Sequence, residues 1–115
     1  MLEESTRPWG RYEVLQESPL HKVKNIYVSP GKRLSYQRHQ FRAEHWFIVQ
    51  GEAEVTINDE NFHLSAGESI QFPIGAWHRV ANHGEIELIF VEVQTGTSFG
   101  EDDIERKDDD FGRVV

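Results

Sequence analysis

The chain has 115 residues, no cysteine, and a formal net charge of −8 from 20 acidic and 12 basic side chains. That length suits one domain with a sizeable core and excludes two, and the lack of cysteine excludes disulfides and thiolate metal ligands. An acidic chain with no bilayer-length apolar run is expected to bind neither nucleic acid nor membrane, and without a basic segment leading into an apolar one at its start it is expected in the cytoplasm.

In chain order, short alternating or apolar runs recur between Gly, Pro, Asn and Asp: RYEVLQ, HKVKNIYVS, RLSYQ, HWFIVQ, AEVTIN, NFHLS, ESIQF, HRVAN and IELIFVEVQ. None holds a helical period for three turns, so the pattern predicts an all-β sandwich or barrel. Asn58-Asp59-Glu60 should turn one hairpin, and Gly31, Gly51, Gly67 and Gly75 should turn others. In the last long run, Leu88, Phe90, Glu92 and Gln94 alternate with Ile89, Val91 and Val93. The aliphatic face is expected to pack against a second sheet and the polar-ended face to border a cavity, which makes Glu92 and Gln94 candidates to line a site. Trp9, Phe41, Trp46, Phe72 and Trp77 are expected in the core or cavity wall.

Two segments stand out by spacing. The first reads Gly31, five residues, Gln37, one, His39, four, Glu44, six, Gly51; the second reads Gly67, five, Pro73, one, Gly75, two, His78, three, Asn82. Residues two apart on a strand share a face, so Gln37 and His39 can converge on one ion, with Glu44 across a short turn and His78 from a separate strand. Imidazole nitrogens with carboxylate and amide oxygens suit one borderline divalent ion, zinc, manganese, cobalt, nickel or iron, and four such ligands leave coordination positions open for substrate. Lys22, Lys24, Lys32, Arg33, Arg38 and Arg42 crowd the approach to the first segment, which on an acidic protein suggests an anionic small substrate.

From Glu101 onward seven acidic residues oppose three basic ones, enough charge for a disordered tail, although Ile104 and Phe111 interrupt it.

The two spaced segments resemble the paired motifs of the cupin (jelly-roll) β-barrel. Over nearly the whole chain the likeness narrows to the cupin domain of type II phosphomannose isomerases: RPWG resembles that family's opening, KVKNIYVSPGKRLSYQRHQFRAEHW its central signature, and EVQTGTSFGEDDIERKDDDFGR its close. The resemblance implies a single cupin domain over residues 1–115, with the acidic segment 96–115 structured and docked near the site. It implies metal-dependent interconversion of mannose 6-phosphate and fructose 6-phosphate, feeding the supply of activated mannose. It further implies a homodimer, and Gln37, His39, Glu44 and His78 match the family's metal ligands. Gln37 stands where many other cupins have His, which favours the isomerase reading. The 115 residues hold no nucleotidyltransferase domain, so GDP-mannose synthesis is not expected of them. Ser98-Phe99 stands where the family more often has Tyr-Leu, and Lys107 where an aromatic is common.

Aldose–ketose isomerisation needs a group to carry a proton between C1 and C2. Lys24 is the first candidate, because a lysine near a cation and low-dielectric walls loses its proton readily, and Glu92 is the second. Arg106 is expected to steady the enediolate or the sugar, Arg33 and Arg42 to grip the phosphate, and Gln94 to contact substrate. The alternatives are a cupin that binds a sugar phosphate without turnover and a cupin metalloenzyme acting on another substrate, such as an oxygenase or a sugar-nucleotide epimerase.

Overall fold

The period-two runs close into paired strands. The computed structural model describes residues 1–113 and contains, among them, eleven strands and no helix. They are β1 (Glu3–Arg7), β2 (Gly10–Glu17), β3 (His21–Val28), β4 (Tyr36–Arg38), β5 (Arg42–Gln50), β6 (Glu52–Ile57), β7 (Glu60–Ser65), β8 (Ser69–Phe72), β9 (His78–Ala81), β10 (Leu88–Gly96) and β11 (Glu105–Asp108). A six-stranded sheet runs β1-β2-β3-β10-β5-β8 and a five-stranded sheet runs β11-β4-β9-β6-β7, with antiparallel pairing throughout. The core draws on both, with Val14, Ile26, Ile48 and Phe90 from the first meeting Val55 and Val80 from the second. The architecture is the all-β double-sheet barrel that the sequence predicts.

Turn chemistry follows the expected residues. Asn58 and Asp59 have positive φ of 46° and 70°, as a tight hairpin between β6 and β7 requires, and Gly31, Gly51, Gly67 and Gly75 all lie at φ between 78° and 91°. Gly96 answers a different need: a Cβ there would come within 2.8 Å of Arg42 Cα on the neighbouring strand, so the close pairing of β10 with the start of β5 admits no side chain.

Three expectations are corrected. β1 and β11 carry no apolar alternation, EESTR and ERKD, and owe their strand form to backbone pairing with β2 and β4, so sequence pattern misses them. On β10 the row Leu88, Phe90, Glu92 and Gln94 is buried in the barrel, whereas Ile89, Val91 and Val93 are the half-buried outer row. Alternation shows that two faces exist but not which one turns inward, and a barrel interior here combines core and cavity on one face. Phe41 is exposed, and Trp77 is half-buried beside Tyr36, Arg38 and Lys107. The Lys107 ammonium lies 5.4 Å from the Trp77 ring centre, a cation–π contact.

The acidic close does not run off as a tail. Its strand β11 pairs Arg106 with Gln37 and Glu105 with Arg38, which lays the segment along the first motif; residues 114–115 lie outside the described residues. No helix among the described residues is long and apolar enough to cross a membrane.

Candidate metal centre

Two strands and one loop bring three donors together. Glu44 points inward from β5, His78 opens β9, and His39 sits in the loop that carries the chain from β4 in one sheet to β5 in the other. All three are buried, and they offer ligand atoms that lie within 4.8 Å of one another. His39 Nε2 is 3.1 Å from Glu44 Oε2, and His78 Nε2 is 3.9 Å from Glu44 Oε1.

The hydrogen bonds suit these residues to an ion. His39 Nδ1 donates to the Asp103 carbonyl at 2.6 Å and His78 Nδ1 to the Ala76 carbonyl at 3.0 Å, because a carbonyl can only accept. Each ring thereby turns its Nε2 toward Glu44, the arrangement in which imidazole binds metal. Burial pulls the His78 pKa down to about 4 against the opposing charge of Glu44, so this ring is neutral at pH 7 and its Nε2 lone pair is free to ligate. Gln37 spends its amide nitrogen on Ser35, 3.0 Å from Oγ, which leaves its carbonyl oxygen available on the wall of the same cavity. The Arg42 guanidinium already meets two of the donors, with Nε 3.3 Å from Glu44 Oε2 and Nη2 3.3 Å from His39 Nε2, so the set accepts positive charge.

Glu44 and Glu92 form a coupled buried pair. Burial raises the Glu44 carboxyl, but the hydrogen bond from Glu92, joined by His39 and His78 in their protonated forms, outweighs it and holds Glu44 well below the usual carboxylate range. Burial, then the charge of Glu44 and its hydrogen bond, push Glu92 the other way, up to about 8. Trp46 Nε1 bridges them, donating to Glu44 Oε1 at 3.0 Å and to Glu92 Oε1 at 3.1 Å.

The remaining candidates divide by position. Lys24 cannot serve as the easily deprotonated base expected of it. Burial lowers its pKa, but the charges of Glu92 and Glu101 and a 2.7 Å bond to Glu101 Oε1 reverse that and raise it, so Lys24 stays a cation. Arg33 is far from the role expected of it: it does not line the cavity and is exposed in a forked pair with Asp110, at 2.8 and 2.7 Å. Arg42 does line the cavity, but each of its three nitrogens already holds a partner: Glu44, His39 and the Gly100 carbonyl. Gln94 is fully buried behind Glu92, donating to its Oε2 at 2.8 Å, and is absent from the cavity wall. Arg106 lines the cavity, and its Nε is buried without a partner.

Sequence reasoning misses Arg7, Tyr12, Arg79, Glu101 and Arg113, which also line the cavity. Arg79 is the most informative: it is buried, Nε and Nη1 bind the Leu34 carbonyl and Asp108, and Nη2 has no partner. Its signal in the sequence is that it directly follows the candidate ligand His78. With Glu92 protonated, the six cations Arg7, Lys24, Arg42, Arg79, Arg106 and Arg113 outnumber the carboxylates Glu44 and Glu101, so the cavity favours anions.

A double-sheet barrel whose interior holds this His-Glu-His group is a cupin with a candidate metal centre. The chain belongs to the family described as Mannose-6-phosphate isomerase C-terminal, which it matches over residues 1–109. It is 49% identical over 109 residues to the alginate biosynthesis protein AlgA of Pseudomonas aeruginosa, covering 95% of this chain and 23% of AlgA. It is 46% identical over 114 residues to the mannose-1-phosphate guanylyltransferase ManC of Salmonella typhimurium, covering 99% of this chain and 24% of ManC. The chain thus spans about a quarter of the length of these relatives. In fold it is similar to KdgF from Halomonas, with a TM-score of 0.77 at 17% identity over 85% of this chain and 86% of KdgF. It is also similar to a double-stranded β-helix protein of Klebsiella pneumoniae, with a TM-score of 0.73 at 26% identity over 83% and 76% of the two chains.

Proposed function

We propose that this chain is a metal-dependent isomerase interconverting mannose 6-phosphate and fructose 6-phosphate through an enediolate. The observation that carries the reading is the meeting of His39, Glu44 and His78 with Glu92 inside a cavity rich in arginine. Membership of the isomerase family supports it.

His39, Glu44, His78 and the Gln37 carbonyl oxygen would hold one divalent ion. When bound, such an ion supplies Lewis-acid polarisation of the sugar's C1 and C2 oxygens. Arg79 and Arg106, whose Nη2 and Nε lack partners, take the phosphate through charge-assisted bonds, in place of Arg33 and Arg42. Arg42 instead steadies Glu44 and His39. Glu92 ionises more readily once a divalent charge offsets Glu44, and its carboxylate takes the proton from C2 of the aldose and returns it to C1. Gln94 and Trp46 hold Glu92 in position from behind. Lys24, kept cationic by Glu101, balances negative charge on the sugar oxygens.

The test is conversion of mannose 6-phosphate by metal-stripped protein before and after addition of zinc, manganese, cobalt or nickel, with His78→Ala as control. Turnover restored by metal in the parent but not in the variant is expected. Stoichiometric metal binding without turnover would sink the isomerase reading and leave a sugar-phosphate-binding cupin. We also propose, from the family likeness, that the chain is a cytoplasmic homodimer; a monomer mass at all concentrations in sedimentation equilibrium would refute the dimer.

A further inference from the structure

Asp103 lies in the acidic close, remote in sequence from every ligand, yet three of its atoms grip the loop that carries His39. Its carboxylate accepts the backbone N–H groups of Gln40, at 2.9 Å from Oδ1, and Phe41, at 3.0 Å from Oδ2. Its own carbonyl accepts His39 Nδ1 at 2.6 Å. The loop is short and has to pass from one sheet to the other between two metal-donor residues, so its backbone groups find few partners within regular structure. The opposite edge is held by backbone bonds, from Gly75 N to the His39 carbonyl at 3.0 Å and from Thr97 N to the Phe41 carbonyl at 2.9 Å. Asp103 supplies the missing acceptors on the N–H side.

We propose that Asp103 is a positioning residue for the metal centre: its carboxylate pins the Gln40–Phe41 backbone, and its carbonyl holds His39 in the Nδ1–H tautomer with Nε2 facing Glu44. An ionised carboxylate presents acceptors only, which matches two successive N–H donors; an Asn in its place would set a donor against one of them. Partners of this kind, one bond behind a ligating histidine, fix both tautomer and ring orientation. The same segment contributes Glu101 to Lys24 and the Gly100 carbonyl to Arg42, so the acidic close braces the donor side of the cavity while Arg106 and Arg113 line it. Metal affinity is therefore set in part by residues that ligate nothing.

The experiment compares the parent chain of 115 residues with Asp103→Ala, Asp103→Asn and Asp110→Asn. Zinc affinity is read by chelator competition, and the His39 tautomer by ring ¹⁵N shifts of the metal-free chain. Asp103→Ala keeps the carbonyl but frees the Gln40–Phe41 backbone, so the His39 ring is no longer held against that carbonyl; zinc should bind about 10- to 100-fold more weakly, the range for a disturbed outer partner, and the Nδ1–H tautomer should no longer be fixed. Asp103→Asn, with one acceptor left, should fall between it and the parent. Asp110→Asn frees Arg33 in the same segment without touching the ligand loop and should leave both readouts unchanged. Unchanged affinity and tautomer in the Asp103 variants would overturn the proposal, as would equal losses in Asp110→Asn, which would mark general loosening. If Asp103→Ala does not fold, Asp103→Asn decides by the same readouts. Turnover is not among them, so failure here is distinct from failure of the isomerase reading.

Discussion

The two ends of the barrel interior are made from the same three strands and have opposite chemistry. On β3 the inward row runs Lys22, Lys24, Ile26, Val28; on β5 it runs Arg42, Glu44, Trp46, Ile48; on β10 it runs Gln94, Glu92, Phe90, Leu88. Antiparallel register aligns these changes of character: Glu92 pairs with Lys24 and Trp46, whereas Phe90 pairs with Ile26 and Ile48. One end is an aliphatic and aromatic core. The other is a buried polar network in which Glu44, Glu92, Lys24 and Arg42 all have partners. Trp46 is the seam, with its ring packed 4.8 Å from Phe90 and 5.0 Å from Phe72 and its N–H shared by the two carboxyls. The lesson is that a rigid apolar end allows charges to be held, desolvated, a single residue pair away.

Variants at each end should separate stability from chemistry. The largest effect is expected from Glu92→Gln, which keeps the shape and one acceptor, lets Gln94 turn its unpartnered Oε1 toward the new amide N–H, and removes the proposed proton carrier. Isomerase kcat should fall about 10²- to 10⁴-fold with little change in thermal unfolding. At the other end, Phe90→Ala should destabilise the fold by about 3–5 kcal/mol, measured by denaturant titration, because a fully buried aromatic leaves a cavity between the sheets. A loss under about 1 kcal/mol would mean that the apolar end is not the scaffold.

A smaller, kinetic contrast is expected between Arg79→Lys and Arg33→Ala. The first should raise KM for the phosphorylated sugar about 10- to 100-fold, the worth of a charge-assisted bond, and the second should leave it within about twofold. The reverse ranking would return the phosphate to Arg33.

The smallest effect is expected at the rim. Glu101 is held below its ordinary value of 4.5: burial opposes this, and the charge of Lys24 with its hydrogen bond overcomes it. A lowered carboxylate stabilises the fold above its unfolded pKa and loses that contribution as pH falls through its folded value; the raised Lys24 contributes below 10.5 and loses it as pH rises. Glu101→Gln keeps an acceptor for Lys24 and should therefore lower stability at pH 7 by about 1 kcal/mol or less, since Glu101 is partly exposed. Its deficit relative to the parent should close below pH 4.5. A deficit that persists in acid would show that the ion pair is not its source.

The barrel, its glycine turns, the donor spacing of Gln37, His39, Glu44 and His78, and the family are all legible in the order of the amino acids. Each of these is local: strand period, positive-φ turns and motif spacing act over a few residues and stay visible in a one-dimensional pattern. The rest lies between residues far apart in the chain. Lys24 could be read as a base until Glu101, 77 positions on, was seen to hold its proton. Arg33 looked like a phosphate grip until Asp110 took its fork, and Arg79 became a candidate only when the close of the chain folded over the cavity. Charge on a side chain is legible in sequence; whether that charge is already paired, or buried beside another, depends on long-range register, which no short pattern encodes.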